Sequence, residues 1–204
     1  MLTWTLTPLL LPLRFTWKIA RNASVAKTNL LLHVSGGGHS GRGEAAPNSR
    51  YHETPDGLQQ QFGQLQAAGL GHCETLAELT DFLARHAPAA ALRFALESAF
   101  VHREAARLGQ TVPQLLGVRA PAGPVPTAAT LPIMEPGEVA GFVREQQLSR
   151  FSLLKVKVNR DAAPDLLREV TCLLPGHPLL IDGNEAWPDA DSLRRSWEQI
   201  GRLP

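Results

Sequence analysis

The stretch FSLLKVKV, Phe151–Val158, sets two lysines, Lys155 and Lys157, one residue apart inside an apolar run. Side chains on a strand alternate between faces, so both lysines point one way while Leu154, Val156 and Val158 point the other. An edge strand would carry such lysines simply to discourage pairing with other chains, the commoner explanation of a lone K-x-K. The neighbouring sequence restricts that explanation. VPTAATLP and EPGEVAGFVREQQL precede the stretch, and DAAPDLLREVTCLL, HPLLIDGN and DADSLRRSWEQIG follow it. Strand and helix patterns thus alternate three times after Val125, the rhythm of βαβ units around a parallel sheet. Parallel sheets are usually covered on both faces, so the lysines must point into something.

In a (β/α) barrel that something is the interior, where residues at the C-terminal strand ends build the active site. The next predicted strand ends at Asp182, with Asn184 and Glu185 on the loop beyond. Asp182 taken alone is equally an Asx-turn or helix N-cap residue. Its carboxylate is also the oxygen donor that Mg²⁺ prefers. Lysines beside a cation-binding carboxylate suit removal of a proton α to a carboxylate, since a lysine base with Mg²⁺ stabilises the resulting enediolate. A lysine works as such a base near neutral pH when a second ammonium and partial burial favour its neutral form, and Lys155 is the neighbour of Lys157.

Upstream, residues 1–50 read as antiparallel strands: LTWTLTPLLLPLRFTWKIA, KTNLLLHV, a connection SGGGHSGRG and then GEAAP. The apolar start lacks a basic leader, and Pro8 and Pro12 interrupt a run shorter than the roughly 20 residues of a spanning helix, so strand is favoured over signal peptide or membrane anchor. The glycine run has no Walker lysine and no helix after it, which leaves hairpin over phosphate loop. From Thr54 the pattern turns helical, with Thr-Pro as cap and first turn, then TLAELTDFLARH, then a long Ala-rich helix beginning at Pro88. Pro113 and LLGVRAPAGP read as a linker. The four tryptophans, Trp4, Trp17, Trp187 and Trp197, read as packing residues.

The net charge of +1 comes from 20 basic and 19 acidic residues without blocks of one sign, which argues against nucleic acid or a membrane surface as partner. Two distant cysteines, Cys73 and Cys172, fit a reducing, cytoplasmic setting without structural zinc. The seven histidines form no H-E-x-x-H or paired ligand spacing.

In their order, GRGEAAPNSRYHETP (Gly41–Pro55), ALRFALESAF (Ala91–Phe100), LKVKV (Leu154–Val158) and LLIDGNEAW (Leu179–Trp187) resemble the enolase superfamily. Within it the chain resembles the muconate-lactonizing-enzyme subgroup, which includes dipeptide epimerases and o-succinylbenzoate synthases. FTWKIARNAS before GEAAPNSRYHETP looks most like the capping domains of dipeptide epimerases of the L-Ala-D/L-Glu type. The resemblance implies an α+β N-terminal capping domain over residues 1–120, followed over 121–204 by the first three βα units of an incomplete (β/α) TIM-type barrel. It implies Lys157 as the acid/base, Lys155 as the residue that tunes it and holds the substrate carboxylate, and Asp182 as one of three carboxylate ligands to Mg²⁺. Arg21 and Tyr51, in the capping loops around 20–24 and 48–53, and Asn184 would contact a small dipeptide or carboxylate substrate. The subgroup's later metal ligands and its opposite-face lysine lie on later strands than this chain contains, so the chain alone is expected to be inactive.

Three alternatives stay open at this stage. The complete protein could be an o-succinylbenzoate synthase-type dehydratase. The chain could be a non-catalytic remnant or fragment, whose uncovered apolar face would drive aggregation or a homo-oligomer. A binding module built on a smaller complete sheet would explain the length but not the lysines beside a strand-end aspartate.

Overall fold

The computed structural model describes residues 1–19, 22–119, 121–161 and 163–201. It divides into two compact units, one of Met1–Pro12 with Ala26–Ala122 and one of Leu13–Val25 with Gly123–Pro204.

The first unit holds most of a three-stranded sheet, β1 (Thr3–Ile19), β2 (Asn22–Gly36) and β3 (His39–Ala45), in the order β1-β2-β3, packed with helices; the facing ends of β1 and β2, from Leu13 to Val25, belong to the second unit. β1 runs unbroken through Pro8 and Pro12 because it is an edge strand, where a missing N–H costs no ladder bond and a proline discourages further pairing. β2 pairs antiparallel with β3, and its alternate residues Leu30, Leu32 and Val34 are wholly buried. The expected nine-residue connection SGGGHSGRG shrinks to Gly37 and Gly38. Both take positive φ, +62° and +78°, as a two-residue hairpin turn demands, and pairing resumes at His39. The glycines beyond the turn have another use. A Cβ on Gly41 would lie 2.1 Å from the Ala99 carbonyl oxygen, and one on Gly43 would lie 2.1 Å from that of Ala95. They let the backbone of α3 (Ala90–Leu108) rest directly on β3.

Each helix begins where its cap chemistry allows. Thr54 caps α1 (Pro55–Ala67) by accepting from the Gly57 N–H, and Thr75 and Glu78 form a reciprocal capping box on α2 (Leu76–His86). α3 starts two residues after Pro88, at a position without a capping side chain of its own. Glu53 supplies the cap from the loop ahead of α1, 38 residues away: buried to 8% exposure, its carboxylate accepts from the N–H groups of Ala91 at 3.1 Å and Asn48 at 3.0 Å. Pro113, expected in a linker, sits instead in the first turn of the short α4 (Val112–Leu115), where its missing N–H costs nothing. Leu58, Phe62, Leu79, Leu83, Leu96 and Phe100 fill the space between these helices and the sheet.

The second unit holds a parallel sheet in the order β4 (Ala129–Leu131), β5 (Leu154–Lys157), β6 (Leu179–Asp182), with α5 (Pro136–Glu145), α6 (Ala163–Leu173) and α7 (Ala190–Ile200). Leu154, Val156 and Val158 are fully buried together with Val139, Leu166, Leu167 and Val170. The tip of the β1–β2 hairpin belongs to this unit: Phe15 meets Phe142 of α5 edge to face at 4.8 Å, and the Ile133 N–H donates to the Lys18 carbonyl at 3.3 Å. On the flank of β6 and α7, Leu180, Leu193 and Trp197 are about half exposed. No helix among the described residues is long and apolar enough to cross a membrane.

Candidate active site

The β5–β6 register places Lys157 opposite Asp182, each the last residue of its strand, at the same end of the sheet. Lys155 lies two residues earlier on the same face and reaches forward, its Nζ 2.7 Å from Asp182 Oδ2. Lys157 Nζ donates to that same oxygen at 3.1 Å and to Asn184 Oδ1 at 2.8 Å. The Asn184 N–H donates to Asp182 Oδ1 at 3.0 Å, closing an Asx turn. The turn and the charge cluster therefore use the same aspartate.

Three donors around one carboxylate hold its charge. The Lys155 ammonium contributes most, partial burial opposes it, and Lys157 with the Asn184 N–H adds to it. The net effect lowers the Asp182 carboxyl from 3.8 to about 2. Lys157 is only 8% exposed, with two of its three ammonium hydrogens directed at Asp182 and Asn184. Its Nζ also lies 5.9 Å from the centre of the Trp17 ring on the hairpin tip.

The loop that presents Asn184 is strained. Asn184 and Glu185 both take positive φ, +46° and +63°, at a cost of order 1–3 kcal/mol each. Packing holds it there. The Trp187 ring lies so close over Gly183 that a Cβ would come within 2.2 Å of it, and Trp187 Nε1 donates to Ser196 Oγ of α7 at 2.7 Å.

Of the residues picked out in the sequence, Lys155, Lys157, Asp182 and Asn184 come together. Tyr51 lies in the first unit, 66% exposed, on the 3-10 turn Ser49–Tyr51. Arg21 lies outside the described residues. Trp17, read as a packing residue, proves to be the aromatic neighbour of Lys157; its signal in the sequence was the alternation of Phe15 and Trp17 on one face at the end of a strand.

As a metal site the cluster is partial. Asp182 already accepts from three donors, which leaves room for one more bond, and Mg²⁺ takes a near-octahedral oxygen shell. Among the described residues no three His, Cys, Asp or Glu side chains gather as a metal-holding group. Asp182 fits one ligand position and no more.

No family model matches the chain. It is 28% identical over 176 residues to the L-Ala-D/L-Glu epimerase of Escherichia coli (strain K12), a match covering 86% of this chain and 53% of that enzyme. Among solved structures it is similar to an enolase family member from Agrobacterium tumefaciens with homology to dipeptide epimerases, bound to sodium and L-Ala-L-Glu. There the TM-score is 0.80 at 26% identity, over 97% of this chain and 58% of that one. It is similar also to the dipeptide epimerase of Methylococcus capsulatus complexed with Mg and L-Arg-D-Lys, with TM-score 0.80 and 26% identity over 95% of this chain and 56% of that one. The chain spans a little more than half the length of each of these proteins. Over that length it has the α+β capping domain and partial barrel of the enolase-family dipeptide epimerases, and in sequence it is similar to them as a distant relative.

Proposed function

We propose that this chain forms the capping domain, residues 1–120, and the first barrel strands, from residue 121 onward, of an Mg²⁺-dependent epimerase acting on a dipeptide. The observation that carries the reading is the convergence of Lys155, Lys157 and Asp182 at the ends of adjacent parallel strands, in a chain similar to an L-Ala-D/L-Glu epimerase.

In this reading Lys157 takes the α-proton as a neutral amine and returns it as an ammonium. Lys155, a third exposed, holds the substrate carboxylate on which charge grows as the proton leaves. Asn184 orients Lys157 through its 2.8 Å hydrogen bond. Mg²⁺, with Asp182 as one ligand, would supply charge stabilisation for the enediolate oxygens. Inversion needs a base on the opposite face as well, and the reading assigns that base and the remaining metal ligands to the length of the relatives that this chain does not span. Arg21 and Tyr51 remain the capping residues proposed to meet the substrate. The chain alone is therefore proposed to be inactive. Free Cys73 and Cys172 support a reducing, cytoplasmic setting.

The test is a chimera in which residues 1–201 are joined to the part of the Escherichia coli enzyme that this chain does not span. Exchange of the L-Ala-L-Glu α-proton in D₂O with Mg²⁺ is followed by proton NMR. The chimera should exchange, and Lys157→Ala should lower the rate by about a hundredfold or more, the range a general base contributes. A folded Lys157→Ala chimera exchanging at the parent rate would sink the assignment.

A further inference from the structure

The first unit holds a cavity of about 590 Å³ between the hairpin turn at Gly37, the start of α2, the second half of α3 and the end of α4. That is the size of a small-molecule site. Leu76, Phe100, Leu115 and Leu116 give it an apolar wall, on which Leu76 and Leu116 stay about half exposed. Arg103 supplies the polar part.

The Arg103 side chain is only 8% exposed, rare for an arginine. Its Nε and Nη2 donate to the Gly36 carbonyl at 3.3 and 3.1 Å, and its Nη1 donates to Glu104. A guanidinium carries five N–H groups, so one on each of Nη1 and Nη2 has no acceptor among the described residues. The charges on the wall are also unequal. Glu104 pairs with Arg107 as well, at 2.9 Å, so one carboxylate serves two guanidiniums. Glu74, the other carboxylate there, is taken by the Met1 ammonium at 2.6 Å. A carboxylate ligand supplies both missing things, a negative charge and two oxygens that match donors on neighbouring guanidinium nitrogens. Phosphate would satisfy the donors too, but it would set a doubly charged group against leucines and a phenylalanine.

We propose that this cavity binds a small monocarboxylate with an apolar body, the carboxylate on Arg103 and the body against Leu76, Phe100 and Leu116. All four residues belong to the first unit, and the proposed reaction uses none of them. The inference stands whether or not the epimerase reading does.

Hexanoate is the probe, titrated into the full chain at neutral pH. Carbon–proton NMR of the leucine and valine methyls and the Arg103 Nε–H signal report binding. Hexanoate should bind with a Kd of about 1 mM, ordinary for so few heavy atoms, and should shift Leu76, Val101, Leu115, Leu116 and Arg103 together. Hexanol has the same body without the charge and should bind about tenfold more weakly, having lost hydrogen bonds to a charged group. Arg103→Gln should reduce hexanoate to the affinity of hexanol. That variant also cuts the tie to Gly36, so Leu116→Trp, at a half-exposed position, decides if it fails to fold: the indole fills the cavity and should abolish the saturable shifts. Equal affinities for hexanoate and hexanol in the parent overturn the proposal, as do shifts still rising linearly at about 20 mM. Unchanged hexanoate binding in a folded Arg103→Gln or Leu116→Trp chain overturns it as well. Displacement of hexanoate by an equal concentration of inorganic phosphate would show a plain anion site and overturn the ligand class.

Discussion

Replacing Asp182 by Asn keeps the shape of the β6 end and removes the charge shared by two lysines. The size of the effect follows from the carboxyl itself, which falls from 3.8 to about 2 on folding, chiefly through the Lys155 ammonium. One pKa unit corresponds to about 1.4 kcal/mol, so the carboxylate contributes on the order of 2 kcal/mol. Because the folded value is the lower one, that contribution is complete above about 3.8 and is lost as the pH falls towards about 2. At neutral pH, Asp182→Asn should lower the melting temperature of the second unit by roughly 8–16 °C, at about 4–8 °C per kcal/mol for a unit of this size. The gap between parent and variant should narrow as the pH drops from about 4 towards 2, since the unfolded parent takes up a proton there that the folded chain resists. Thermal melts of both chains by circular dichroism from pH 7 to pH 2, without added metal, measure this. Other carboxylates titrate in the same window but are common to both chains. A gap that is absent at pH 7, or that stays constant to pH 2, would refute the reasoning.

Three further expectations concern packing. Gly41→Ala drives a methyl into the α3 backbone at Ala99 and Arg103 and should cost unit 1 about 1–3 kcal/mol or more in urea unfolding, whereas Gly63→Ala, inside α1 with nothing nearby, should gain about 0.5–1 kcal/mol. Glu53→Ala leaves the Ala91 and Asn48 N–H groups without their buried acceptor and should cost about 1–3 kcal/mol; a variant as stable as the parent would show that water replaces it. Gly183→Ala must push the Trp187 ring aside and break its bond to Ser196, which an indole shift in the proton–nitrogen NMR spectrum would report.

The barrel strands and their lysines were legible because period-two burial and the strand-end aspartate are local features. The cap at Thr54 was legible for the same reason. The glycine run was not, because glycine serves both a turn and a close approach, and only the position of α3 tells Gly37 and Gly38 from Gly41 and Gly43. Pro8 and Pro12 were read as interrupting a spanning helix and not the strand, and β1 runs through both as an edge strand. Glu53 was invisible for a related reason: its partner Ala91 lies 38 residues away, and the only local hint was a long helix with no capping side chain at its start. Asp182 carried two competing readings, Asx turn and charged site residue, and its two oxygens accommodate both.

The second unit is assembled from two separated stretches, Leu13–Val25 and everything from Gly123 onward. Closing a loop of about a hundred residues costs entropy that a local contact does not, so the hairpin tip should join late, after β5 and β6 have paired. A nascent chain would then pass through a stage in which Phe142 and Lys157 are already positioned and still bare. Ribosomal pausing, chaperone engagement and proteolysis would all act on that interval, and a cut in the hairpin would free Phe15 from Phe142 and Trp17 from the side of Lys157 while leaving every strand of the parallel sheet intact.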